Sequence, residues 1–130
     1  MAKVYENKMK VRDYECDSQG VVNNANYQHY FEATRHELME LCGLRLRDLT
    51  EANIIPVVRN ANISYRSSLR GSEEFVSRVT AIEREGLRYY FQQEIIRIPD
   101  NTLCSKATIE VVCLSNGKIA KPDMFDKAFA

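Results

Sequence analysis

The chain has no tryptophan, few glycines and prolines, no excess charge of either sign and no long apolar run. Its 18 basic and 18 acidic residues cancel, which removes the large positive field that a general nucleic-acid or anionic-membrane binder needs. Nowhere do the roughly 18 consecutive apolar residues of a membrane-spanning helix occur, and Met1 to Glu6 carries no signal-like stretch. A cytoplasmic protein without membrane insertion is therefore expected. Cys16, Cys42, Cys104 and Cys113 lie far apart with no Cys-x-x-Cys pair, the pattern of reduced thiols rather than of a zinc or redox motif. His36-Glu37-Leu38-Met39-Glu40 has a glutamate where a zinc-protease helix needs its second histidine, so no metal site is expected. His29 and His36 share one helix face and read as surface or hydrogen-bonded side chains. No glycine-rich phosphate loop and no serine–histidine set is found.

Glycine and proline fall singly at turns, with no repeat, linker or low-complexity tract, so residues 1–130 are expected to form a single domain. A chain of 130 residues buries about two thirds of its unfolded surface in one core. Residues about 4 to 12 alternate weakly as a first strand. Tyr27, Tyr30, Phe31, Thr34, Leu38, Leu41 and Cys42 then follow the rhythm of one buried helix face, over about 24 to 42. Asn23 or Asn24 can cap its start and Gly43 its end. A short second helix is expected over about 46 to 52.

From Pro56 the period changes to two. Val57, Ala61, Ile63 and Tyr65 should share one strand face. Phe75, Val79 and Ala81 should share a face of the next, with Val76 and Ile82 opposite. Tyr89, Phe91 and Ile95 mark a third strand, and Ala107, Ile109, Val111 and Cys113 a fourth. The breaks near Gly71, Gly86 and Asp100 have the turn chemistry that joins antiparallel neighbours, and Ser115 to Lys118 turns the chain once more. The pattern predicts an α+β fold in which an antiparallel sheet wraps one face around one long helix. Val, Ile and Tyr on the opposite strand positions suggest a second apolar face, and hence oligomerisation.

The most informative stretch runs from Val11 to Tyr27. It places Asp17 on a polar loop containing Gly20 that leads directly into the start of the long helix. A carboxylate and the positive end of a helix dipole attract each other unless a guest lies between them; a polarisable carbonyl fits that place. Taken alone, Asp17 reads as an ordinary loop acid making an Asx-turn with Gln19 or Gly20.

The order Asp17, Gly20, Val21, Val22, Asn26, Tyr27, followed by Phe31-Glu32-Ala33-Thr34-Arg35, resembles the hotdog-fold thioesterases of the 4-hydroxybenzoyl-CoA thioesterase type over nearly the whole chain. Ile63 to Gly71 is similar to that family's strand-and-turn stretch, with Ser68 where proline is common. Tyr14 to Ala25 with Arg35-His36-Glu37 also resembles the plant acyl-lipid thioesterases that act on acyl-carrier-protein thioesters. The resemblance implies a hotdog fold, a homodimer or homotetramer with pockets shared between chains, and hydrolysis of an acyl-CoA or acyl-carrier-protein thioester. It implies no cofactor other than coenzyme A or pantetheine as part of the substrate. An acyl-carrier protein is then a candidate partner.

On that footing Asp17 and Asn24 are the candidate catalytic residues. Asp17 either attacks the thioester carbonyl, giving a mixed anhydride, or acts as general base toward water. Backbone N–H groups around Asn23 to Ala25, unpaired at a helix start, can take the developing negative charge. The resemblance gives that role to Asn24 and lets Gly20 bring the loop close. Val22, Asn23, Tyr27, Asn60 and Asn62 are candidate substrate contacts, with Asn60 and Asn62 otherwise on the wet face of their strand. Arg88 is the candidate for the phosphates of coenzyme A, with Arg66, Arg70 and Arg84 as a basic rim or as solvated charge. Bacterial relatives often have histidine where this chain has Asn24, and asparagine cannot shuttle a proton near neutral pH. That departure keeps open a non-catalytic acyl-thioester binder; a hotdog dehydratase would need a histidine in the loop.

Overall fold

In the computed structural model, which describes residues 5–129, the apolar stripe begun by Tyr27 lies on a helix, α1 (Asn24–Leu41). The first strand, β1 (Tyr5–Lys10), is preceded in the expected range by Val4, which lies outside the described residues. A single 3-10 turn (Asp13–Glu15) separates β1 from the loop. After α1 come a short helix α2 (Leu46–Glu51) and four long strands, β2 (Ile55–Tyr65), β3 (Glu74–Glu85), β4 (Arg88–Ile98) and β5 (Thr102–Ser115). Two further elements close the chain, β6 (Lys118–Ala120) and α3 (Asp123–Phe129).

The sheet runs β1-β3-β4-β5-β2 with every pair antiparallel, and β6 pairs with the end of β5. Tight turns permit this meander. Asn116 and Gly117 both hold positive φ, at 53° and 77°, between β5 and β6, the conformation that an Asn-Gly hairpin supplies at little cost. The concave face receives α1: Tyr27, Tyr30, Phe31 and Leu38 from the helix are buried with Phe75, Val79, Phe91, Ile95 and Ile109 from the strands. A polar layer crosses this core. Thr34 Oγ1 lies 2.6 Å from Ser77 Oγ, and buried Gln93 donates to the Phe31 carbonyl at 3.0 Å. Buried polar groups cost free energy unless so matched, which sets the roll of α1 against β3 and β4.

Two bulges correct the strand faces expected from period two. β2 slips against β5 between Val58 and Asn60, so Val58, paired with Val111, takes the helix side with Ala61 and Ile63, and Val57 turns outward with Val112. β3 slips between Val79 and Ala81; Ile82 thereby joins Phe75 and Val79 in the core, while Ala81 pairs with Gln92 on the outer face. One extra residue reverses every later side chain. On α1, Leu41 is 71% exposed because the helix ends as it leaves the sheet; Arg35 and Met39 occupy the buried stripe instead.

The outer face of the sheet is also not the second apolar surface expected. Arg78 bridges Glu6 and Glu94, both at 3.2 Å, and Gln92 links Glu83 and Thr108 at 2.9 and 2.6 Å. Among the strands, β2 at one end of the sheet bares the most apolar side chains: Ile55, Val58 and Tyr65 are each about half exposed or more. At the other end of the core α3 supplies Phe125 and Phe129, which pack edge-on to one another and against Tyr89 and Phe91. Asp126 on the same helix accepts from the Tyr89 hydroxyl and pairs with Arg84 at 3.3 Å.

Candidate active site

Glu15 joins the loop to the helix. Its carboxylate accepts from the Arg12 amide at 2.8 Å and from the Tyr30 hydroxyl at 2.9 Å. Its carbonyl accepts from the Asn23 amide at 3.0 Å and from Asn26 Nδ2 at 2.8 Å. Burial, and then the neighbouring Glu15 carboxylate, push the Tyr30 phenol far above its ordinary range, so it remains a donor. Beyond this anchor Cys16 bridges Val22, and Val21 bridges Arg70. Asp17 N donates to Val21 O at 2.9 Å, and Gly20 N to Asp17 O at 3.0 Å. Gly20 closes the turn at φ +78°, a backbone state that side chains with a Cβ rarely adopt.

Asp17 stands exposed at the corner of this turn. Its Oδ1 accepts from the Gln19 amide at 2.8 Å, the Asx-turn read as the alternative in the sequence, and Oδ2 has no partner among the described residues. The Asx-turn and a chemical role are compatible, because the first holds one oxygen and leaves the other outward. The adjacent Cys16 thiol is pushed up by desolvation and then by Asp13, Asp17 and Glu15, which makes it a poor rival nucleophile.

The helix start settles which backbone amide is free. Asn23, extended at φ −60° and ψ 135°, is the cap, and its side chain accepts from the Ala25 amide at 3.0 Å. Asn26 N donates to Asn23 O at 2.9 Å. Of the first helical amides this leaves the N–H of Asn24 without a partner among the described residues, at the positive end of the dipole. Asn23→Ala should cost about 1 kcal/mol of stability through loss of the cap, read as a fall of the melting temperature by a few degrees; no fall would show that the cap contributes nothing.

Asn24 lines a cavity of about 230 Å³ with Val22, Tyr27, Tyr65, Arg66 and Ser68. Tyr65 donates to the Asn24 carbonyl at 3.3 Å. Val22 and Tyr27 are buried core residues, and the Tyr27 hydroxyl accepts from the Leu69 amide at 3.2 Å. The Asp17 turn and the Asn23 cap are joined through the Cys16–Val22 bridge, whereas Asp17 itself does not line the cavity beside Asn24.

Asn60 and Asn62 pair with Glu110 and Thr108 on the sheet face turned away from α1, the wet-face alternative of the sequence reading. Arg88 lies on that face too. With Arg59 it approaches Glu110 Oε2, at 3.8 and 3.9 Å, beside a cavity of about 330 Å³ at the β3–β4 turn. The arginine beside the helix start is Arg66, placed only in a general basic rim by the sequence. Sequence reasoning also missed a pair of cavities farther along α1, where Glu32, Arg35 and Val58 are shared walls. The signal was available, since Arg35 falls in the stripe of Tyr27, Phe31 and Leu38, but its charge argued against burial.

Known proteins resemble this chain in sequence and in fold. An acyl-acyl carrier protein thioesterase of Arabidopsis thaliana, chloroplastic, is 31% identical over 116 residues, covering 89% of this chain and 61% of its own length. The chain thus spans about three fifths of that plant relative. An acyl-CoA thioesterase of Haemophilus influenzae is 32% identical over 115 residues, covering 87% of this chain and 82% of its own length. Among solved structures, a 1,4-dihydroxy-2-naphthoyl-CoA thioesterase from Synechocystis superposes with a TM-score of 0.89 at 17% identity, over 97% of this chain and 95% of that one, a likeness of fold. The sheet wrapped on α1 is accordingly the hotdog fold. The profile of the thioesterase-like superfamily matches residues 11–130, and the chain belongs to that superfamily.

Proposed function

We propose that this chain hydrolyses an acyl thioester of coenzyme A or an acyl-carrier protein to a free acid and a thiol. The observation that carries the reading is the free Asn24 amide at the helix start, which follows directly on the bridged loop that holds the outward carboxylate oxygen of Asp17. With the thioester carbonyl oxygen on the Asn24 N–H, Asp17 takes a proton from water whose oxygen attacks the carbonyl carbon. The negative charge gathers on the oxygen facing Asn24, the C–S bond breaks, and the thiolate takes up a proton. In the alternative course Asp17 attacks first and water cleaves the resulting anhydride; the products are the same. The scheme uses no metal or redox group. Coenzyme A or pantetheine enters only with the substrate, and Arg66, beside Asn24, is the cation placed to meet it.

Two protomers join along β2. Its free edge is 11 residues long and carries exposed Ile55, Val58 and Tyr65, and such an edge invites pairing with another strand. Sedimentation at micromolar concentration should give a dimer or a tetramer; a monomer would remove the shared-pocket reading. Thiol release from a panel of acyl-CoAs and acyl-carrier proteins tests the activity. A rise in melting temperature with those ligands and no thiol release would instead identify a binder without turnover.

A further inference from the structure

The two cavities along α1 form consecutive spaces. One, of about 380 Å³, begins at Ala25 and is lined by Gln28 and His29; the other, of about 320 Å³, continues past Met39 to Ile54 and Phe125. They share Glu32, Arg35 and Val58 as walls, so a chain entering beside the helix start would pass the Arg35 guanidinium midway.

Arg35 is only 6% exposed, yet among the described residues it makes one hydrogen bond, from Nη1 to Gln93 Oε1 at 3.0 Å. No carboxylate lies within ion-pair distance of it among the described residues. Loss of hydration pushes its pKa down to about 10, with Glu32 opposing. A guanidinium has five N–H donors in a fixed fork, and a buried cation with most of them unused is costly unless something accepts from them. No side-chain nitrogen of Arg35 is both sealed from solvent and unbonded, so the spare donors open onto the cavities. The groups facing them from the other packed elements are Gln93 on β4 and apolar Val58, Ile109 and Val111; on α1 itself they are Glu32 and His36, whose imidazole burial holds neutral to lower pH.

On the thioesterase reading given above, we propose that Arg35 is a specificity residue and that the preferred substrates are hydroxyacyl thioesters, their hydroxyl lying well down the acyl chain. The hydroxyl oxygen accepts from Arg35 and its proton is donated toward Glu32, a pairing that neither a plain alkyl chain nor a carboxylate reproduces. Arg35 is 11 residues beyond Asn24, about 16 Å along the helix axis, which sets the hydroxyl far from the thioester rather than next to it.

The test measures kcat/KM for thiol release by the full chain on acyl-CoAs of about eight to sixteen carbons, each as the plain, ω-hydroxy and ω-carboxy form. The hydroxy form should win at one chain length by at least about tenfold, mainly through KM. Arg35→Met should bring that ratio near one, Arg35→Lys should retain part of it, and Glu32→Gln should weaken it. Equal rates on plain and hydroxy chains at every length overturn the proposal, as does a preference for the carboxy form. A fall on both chains with the ratio kept assigns Arg35 to structure alone, and a shift of Arg35→Met to monomer in sedimentation assigns it to a subunit contact; either result overturns the proposal. If no thioester is cleaved, the activity reading fails by itself, and the melting shift with hydroxyacyl- against acyl-CoA still reads the selectivity.

Discussion

Asp17→Asn should lower kcat/KM for thiol release by roughly a hundred- to ten-thousand-fold, the usual worth of a positioned base or a nucleophile's activation. The substitution is chosen because it spares the fold. Asparagine keeps an oxygen that can accept from the Gln19 amide, so the Asx-turn that holds the loop survives. Only the outward oxygen changes, becoming an NH₂ that can neither take a proton from water nor attack a carbonyl. As an exposed replacement it should move stability by no more than about 0.5 kcal/mol. Thiol release together with a melting curve therefore separates chemistry from structure. A rate within a few-fold of the parent would remove Asp17 from the mechanism; a lost rate accompanied by a collapsed melting temperature would make it a structural acid.

Asn24→Pro should lower the rate by about a hundred- to a thousand-fold, the loss seen when one oxyanion donor is removed, with little change in stability. Asn24 is the first helical residue, where proline is favoured because the missing N–H has no intrahelical acceptor and φ is already near that of the ring. The residue before it, Asn23, is extended at φ −60° and ψ 135°, the backbone state that a following proline demands. The variant therefore deletes the proposed donor while leaving the helix start intact. Asn24→Ala, which keeps the N–H and removes the side-chain amide, should lose far less. Similar losses in the two variants would place the effect in the side chain, and a proline variant with near-parent turnover would end the oxyanion assignment.

Part of this site could be read from neighbouring residues because its determinants are local. Asn23 caps a helix that begins one residue later, Gly20 closes a turn three residues from Asp17, and both relations lie inside a window that periodicity and turn chemistry cover. The stripe from Tyr27 to Leu38 was legible for the same reason. It failed at Leu41 because burial there depends on where the sheet stops. The strand faces failed at Val57 and Ile82, since a bulge adds one residue to one strand only and the side-chain alternation on either side looks regular.

The sequence by itself determined the antiparallel sheet on one long helix, the Asp17 loop and a cap at Asn23 or Asn24, all set by steric and hydrogen-bonding preferences that act over a few residues, while the hotdog class came from the family resemblance. Only the tertiary structure decided that β2 is a free edge of the sheet, that Asn60, Asn62 and Arg88 face away from α1, and that Arg35 is buried against Gln93, 58 residues distant. The reason is physical: which strand lies beside which, and which charge can be taken out of water, depends on partners brought together by long-range pairing, and the residues near Arg35 in the chain carry no trace of Gln93.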